Sequence, residues 1–260
     1  TIVENIEIPL PPLEIQKRIA DALDRAQQLI DKRQQQIEML DEFLQSVFLD
    51  MFGDPVTNSK GWDVHAFKDG ISDIKYGTST PPVFSEDGNG NRCFIRATNI
   101  KNGKIVTQDM RYISEDEGEK IQKCKLEIGD LLIVRSGVNS GDSAYVSDEY
   151  AGAFGGYDII VKLNSQELDY RFAIALLNSV YLERIIKPLT RRAAQPHLNS
   201  RQIQELEFMF PPIQIQRKFA EVVQQVDDKR GLLIHSLQLL ETSFNSIMQR
   251  AFKGELGGMT

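Results

Sequence analysis

Four short stretches of this chain gather the side chains that grip phosphates and read base edges. They are Lys75-Tyr76-Gly77-Thr78-Ser79-Thr80, Arg96-Ala97-Thr98-Asn99, Arg135-Ser136-Gly137-Val138-Asn139-Ser140, and the run from Arg191 and Arg192 through Gln195 and His197 to Asn199. A reader of duplex DNA needs lysine and arginine for phosphates and guanine, asparagine and glutamine for adenine, and hydroxyls for either, all on loops that fit a groove. Any one of the four is equally an ordinary polar loop. Their joint presence in one β-rich segment is what points to nucleic acid. The candidate contacts are Lys75, Tyr76, Thr78, Ser79, Thr80, Arg96, Thr98, Asn99, Arg135, Ser136, Asn139, Ser140, Arg191, Arg192, Gln195 and His197. Of these, Arg96, Arg135, Arg191 and Arg192 suit phosphate or guanine, and Asn99, Asn139 and Gln195 suit base edges.

Catalytic chemistry finds little footing. The three histidines, His65, His197 and His235, are far apart in sequence and share no zinc-ligand spacing with cysteine or carboxylate. Gly152-Ala153-Phe154-Gly155-Gly156 lacks the spacing and helix opening of a phosphate loop and reads as a tight loop. The acidic run Glu115-Asp116-Glu117-Gly118-Glu119-Lys120 has no histidine beside it and reads as a solvated helix start. Cys93 and Cys124 read as free, small buried hydrophobes. No catalytic residue, metal site or cofactor is expected, and no methyltransferase cofactor motif is present.

The net charge of −7 and pI near 5.2 argue against a protein that coats nucleic acid unaided, although local basic patches remain compatible. No apolar leader or long uncharged run occurs, so the expectation is a cytoplasmic protein with no membrane span. The start at Thr1 reads as a processed or fragment boundary, and the end as a natural one.

The elements that must position these loops are bracketed by a repeat. Pro11-Pro12-Leu13-Glu14-Ile15-Gln16 returns as Pro211-Pro212-Ile213-Gln214-Ile215-Gln216, and a long amphipathic segment follows each copy. After the first, Ile19, Leu23, Ala26, Ile30, Ile37, Leu40, Leu44, Val47 and Met51 fall on alternating four-and-three spacing, interrupted at Arg33. After the second, Phe219, Val223, Val226, Leu233, Leu237, Leu240, Phe244, Ile247 and Ala251 do the same, interrupted at Arg230. This is the spacing of a coiled-coil seam. The first helix is predicted from Leu13 to Phe52, on the order of 60 Å long, with Gly53-Asp54-Pro55 as its stop. Val3 to Leu10 reads as a short strand leading into it, with a twin at Glu207 to Phe210. The two seams can bury each other in an antiparallel pair or pack against another copy of the chain.

Between the helices, short apolar runs separated by turn residues predict mainly β structure: Ile71–Tyr76, Cys93–Ala97, Leu131–Val134, Ala144–Val146 and Asp158–Leu163. Asp169 to Ile186 restores helical spacing, with Pro188 as the expected stop. The fold class is therefore α+β: one mainly β domain with packed helices, bracketed by two long helices forming an antiparallel coiled coil. The boundaries are residues 1–12 for the strand and lead-in, 13–53 for the first helix, 54–210 for the β domain, and 211–260 for the second helix and tail.

The doubled Pro-Pro-x-x-x-Gln opening resembles the specificity subunit of type I restriction-modification enzymes. Tyr76-Gly77-Thr78-Ser79-Thr80-Pro81 is similar to that family's glycine-threonine-proline loop. Phe94-Ile95-Arg96-Ala97-Thr98-Asn99-Ile100 with Gly103 resembles its next strand and turn. Gly129-Asp130-Leu131-Leu132-Ile133-Val134-Arg135-Ser136-Gly137 resembles its glycine-aspartate strand segment, and Leu198-Asn199 with Ile203 and Leu206 its domain exit. The resemblance implies a non-catalytic module whose recognition domain reads one half of a bipartite double-stranded DNA target. Its helices would act as a ruler and as the docking surface for methyltransferase subunits, and through them for the restriction subunit. A full subunit carries two recognition domains and this chain has room for one. It is then half of a longer subunit or a half-size subunit that forms a homodimer on inverted half-sites. The competing reading is a coiled-coil adaptor whose β domain binds a protein.

Overall fold

Helix α1 (Leu13–Phe52) begins where the sequence places it, immediately behind the proline pair, with Ile15 and Gln16 donating their amides to the Pro12 carbonyl. It stops at Gly53, whose φ of +77° is the left-handed conformation that ends helices on glycine. The computed structural model describes residues 11–85, 91–190 and 197–253. The strand expected at Val3–Leu10 and the loop residues Arg191, Arg192 and Gln195 lie outside them.

In chain order α1 is followed by β1 (Val64–Ala66), β2 (Ile71–Tyr76), β3 (Arg92–Ile95), β4 (Ile100–Lys101), β5 (Lys104–Ile105), β6 (Arg111–Ile113) and α2 (Glu115–Lys120). Then come β7 (Leu131–Ile133), β8 (Ser143–Tyr145), β9 (Phe154–Gly155), β10 (Ile159–Leu163) and α3 (Tyr170–Leu177). The chain closes with α4 (Lys187–Thr190), α5 (Ser200–Gln204), β11 (Glu207–Met209) and α6 (Ile213–Phe252). These elements form two compact units, one of residues 1–44 and 224–260, the other of residues 45–223.

In the first unit α1 and α6 form an antiparallel coiled coil: α1 leaves it by its C-terminal end and α6 enters it by its N-terminal end. Ile19, Leu23, Ala26, Ile30, Ile37, Leu40 and Leu44 are shielded while most residues between them are exposed, as are Val226, Leu233, Leu237, Leu240, Phe244, Ile247 and Ala251 on α6. The two seam arginines behave differently. Arg230 grips both carboxylate oxygens of Asp41, whereas Arg33 bonds Gln36 one turn along its own helix. No helix among the described residues is long and apolar enough to cross a membrane.

The second unit is built on a four-stranded antiparallel sheet in the order β2-β10-β7-β8. A three-stranded sheet, β6-β3-β9, joins β3 and β9 in parallel, and β1 pairs with β11. One core lies on these sheets around Ile95, Ile100, Leu126, Leu132, Val134 and Ile160. A second core is aromatic. Phe48 and Phe52 stand four residues apart at the end of α1, off the heptad seam, and pack with Phe172 of α3 and Phe219 of α6 at ring separations of 4.6 to 6.0 Å. The last turns of α1 thus bury a face that the heptad pattern alone leaves in solvent.

Three expectations need correction. The helix expected over Asp169–Ile186 ends at Leu177, because the Asn178 side chain bonds the Ile174 carbonyl and also Ser143 on β8. A single π turn, Leu182–Ile186, follows. Pro188 is no stop: the π turn passes directly into α4, and helical backbone continues through the proline to Thr190. The Gly152–Gly156 loop contains a strand, β9, whose glycines allow close approach. A side chain at Gly77 would collide with the Gly156 carbonyl, 1.6 Å from its Cβ position.

Candidate nucleic-acid interface

The sheet topology decides which polar loops meet. Because β10 is antiparallel to both β2 and β7, the C-terminal ends of β2 and β7 and the N-terminal end of β10 share one edge. Tyr76 closes β2, Tyr157 and Asp158 precede β10, and Arg135 lies two residues beyond β7. The Arg135 guanidinium sits 4.4 Å from the Tyr76 ring centre and 4.3 Å from that of Tyr157, within cation–π range. Its Nη2 meets His197 Nε2 at 3.0 Å. A guanidinium can only donate, so Nε2 accepts and the imidazole proton resides on Nδ1.

The backbone beneath is equally fixed. The Arg135 amide donates to Asp158 Oδ1 at 3.3 Å, the Leu198 amide to the Arg135 carbonyl at 2.7 Å, and Ser136 and His197 form an antiparallel bridge. The Tyr76 hydroxyl donates to Ser200 Oγ at 3.1 Å and accepts from the Ser200 amide at 2.8 Å. Burial opposes ionisation of this phenol, but the two Ser200 bonds and the Arg135 charge outweigh it and bring the Tyr76 pKa below its usual value. Burial pushes Asp158 up to about 6, against the pull of the Arg135 amide and charge. At neutral pH the Asp158 carboxylate is ionised beneath the arginine.

The surrounding hydroxyls are arranged by local turns. Thr78 Oγ1 donates to the Thr80 carbonyl at 2.8 Å and accepts from the Thr80 amide at 3.3 Å, leaving Ser79 and Thr80 exposed. In the loop after β7, Ser136 is exposed and Asn139 half-buried, while Ser140 is buried with its hydroxyl on the Gly137 carbonyl.

Other candidates are drawn elsewhere. Lys75 alternates to the opposite face of β2 from Tyr76, where its charge, after that of Lys162, helps lower the Glu127 carboxyl. Arg96 binds the Asp109 carbonyl at 2.5 Å and carboxylate at 2.8 Å. Asn99 is completely buried. Its Nδ2 donates to Val106 and Gln108 carbonyls and its Oδ1 accepts the Arg96 amide, so a base cannot reach it in this conformation. Thr98 beside it is exposed. Asn99 is thus a loop brace, which its residue type alone did not distinguish from a base reader. Tyr157 was missed by the sequence reading; beside Gly155-Gly156 it carried no periodic or motif signal. Among the described residues no group of three or more His, Cys, Asp and Glu side chains could hold a metal ion.

The α+β unit thus presents an arginine, two tyrosines and several hydroxyls at one sheet edge. The sequence model of the family described as "Type I restriction modification DNA specificity domain" matches residues 1–39 and 60–242, and the chain belongs to that family. It is 25% identical over 273 residues to the type I restriction enzyme MjaVIII specificity subunit of Methanocaldococcus jannaschii, covering 98% of this chain and 63% of the relative. It is 28% identical over 278 residues to the type I restriction enzyme StySPI specificity subunit of Salmonella potsdam, covering 96% of this chain and 58% of the relative. The fold is similar to the crystal structure of the type I restriction-modification system S subunit from M. genitalium. The TM-score is 0.59 at 16% identity, over 92% of this chain and 61% of that one. The chain therefore spans about three fifths of the length of these proteins.

Proposed function

We propose that this chain determines DNA sequence specificity in a type I restriction-modification complex, reading one half of a bipartite target without catalysing a reaction itself. The observation that carries this reading is the family match, which runs through both long helices and the β-rich unit between them. In this reading residues 54–210 form the recognition domain, and the helices of residues 13–53 and 211–260 set the spacing. The helices also dock methyltransferase subunits, which bring the restriction subunit with them; the complex is cytoplasmic and the methyltransferase supplies cofactor and adenine methylation. The proposed contacts are Tyr76, Thr78, Ser79, Thr80, Arg135, Ser136, Asn139 and His197 at the shared sheet edge, with Arg191, Arg192 and Gln195, which precede His197 in sequence, proposed on residue type alone. The acidic total charge fits a subunit whose partners provide much of the phosphate contact.

Methylation-aware sequencing of DNA from cells carrying the cognate methyltransferase subunit, with and without this chain, tests the reading. An adenine-methylated bipartite motif that requires the chain is the expected result. Exchanging residues 54–210 for those of a relative changes the motif, and a symmetric motif identifies a homodimer. A complex that assembles yet methylates no chain-dependent motif overturns the proposal.

A further inference from the structure

Four arginine heads on the β-rich unit pair with carboxylates: Arg92 with Glu115, Arg96 and Arg111 with Asp109, Arg201 with Glu205. Arg135 is different. Among the described residues its head forms no ion pair: it meets two tyrosine rings and one imidazole nitrogen, while the Asp158 carboxylate, which accepts the Arg135 amide, acts on its charge from beneath. Its Nε is buried and makes no hydrogen bond among the described residues, and none is made there by Nη1. The rings and the imidazole hold the charge in place, and among the described residues Nη1 meets no acceptor.

Rigid placement distinguishes two uses of an arginine. A phosphate accepts from many directions, so a mobile side chain serves it well. The N7 and O6 atoms of guanine lie on one planar edge and demand two parallel N–H donors at a fixed angle. A guanidinium fixed by rings, imidazole and backbone suits the second demand, because the cost of ordering it is met before DNA arrives. We propose that Arg135 is the guanine reader of this domain, donating from Nη1 and the remaining Nη2 hydrogen to N7 and O6. Tyr157 and His197 are positioning residues that hold it at the required angle. This deepens, and rests on, the DNA-reading function proposed above.

The experiment repeats the methylation sequencing with the assembled complex carrying R135A, R135K, Y157A or Y157F. Wild-type complex yields a motif containing a specified G·C pair. R135A and R135K lower methylation at sites with that guanine by about 5- to 150-fold relative to sites mutated there, so that this one position becomes degenerate. Y157A relaxes the same position, and Y157F, which keeps the ring, restores it. A uniform loss across every motif position in R135A makes the residue a phosphate contact and overturns the inference. So does a Y157A complex with wild-type discrimination at that base. Absence of any chain-dependent motif in the wild type overturns the function itself, and is distinguished by occurring before any substitution is made.

Discussion

Gln16 and Gln216 hold the same place in two copies of one helix opening, and their first hydrogen bond is identical: each donates Nε2 to the carbonyl of the leading proline, Pro11 or Pro211, at 2.7 Å. Beyond that bond they part. Gln216 is fully buried; its Nε2 also reaches the Glu167 carbonyl at 3.0 Å, and its Oε1 accepts the Asp169 amide at 2.9 Å. Gln16 is half-buried and has neither contact among the described residues. Three positions on, Phe219 is 1% exposed among other phenylalanines, while Ile19 is half-buried on the coiled coil. The motif therefore encodes the start of a helix. Whether that start becomes part of a core depends on what the rest of the unit brings to it.

Truncation should separate the copies. F219A removes a ring that meets Phe48 and Phe52, and is expected to cost about 3–5 kcal/mol. I19A is expected to cost about 1 kcal/mol, since Ile19 is shielded on one side only. Denaturant unfolding of both variants checks this, and equal costs would break the distinction.

Q216A leaves the Asp169 amide and the Glu167 carbonyl without their partner, at a cost of about 2–3 kcal/mol. Q16A loses one bond at a half-exposed site, about 0.5–1 kcal/mol. A thermal melt in which Q16A falls as far as Q216A would show that the shared proline bond, rather than burial, supplies the stability.

The seam arginines give a smaller contrast. R230A breaks the pair with Asp41, which is 65% exposed and so well screened, for about 1 kcal/mol. R33A, which loses only a bond to Gln36, is expected to stay within about 0.5 kcal/mol. Adding salt should shrink the first difference and leave the second unchanged.

The last test is a pH dependence at the buried copy. Burial lifts the Asp169 carboxyl above its ordinary value of 3.8, although the Arg171 and Phe172 amides it caps pull the other way. The folded chain then keeps a proton that the unfolded chain has lost. Stability should fall as pH rises from the ordinary value through the raised one, and level off above it. D169N keeps the cap of α3 and should reduce that fall by the share of Asp169, leaving the part due to Asp158, as urea unfolding from about pH 3.5 to 7 would show.

Much of the scaffold was legible because its signals are local and repeated. The α1 limits, both seams and the strand at Ile71–Tyr76 follow from heptad spacing, a glycine stop and β-branched runs. Pro188 misled because the helix widens into a π turn just before it and carries on through the proline, and the residue that broke the preceding helix was Asn178, through a contact 35 residues away in sequence. At the site, residue type nominated Arg96, Asn99 and Arg135 alike. Only the fold separates an ion-paired arginine, a loop brace and an arginine that, among the described residues, meets tyrosine rings and an imidazole.

The sequence by itself determined two long helices with matching seams, their proline openings and the β character of the segment between, because periodicity and capping act over a few residues. The tertiary structure decided which loops share an edge. Tyr76, Arg135, Tyr157 and His197 come together because β10 lies between β2 and β7 and antiparallel to both, a pairing set by long-range backbone hydrogen bonds and burial. The same long-range packing made one copy of a repeated glutamine a buried clasp and left the other half in solvent.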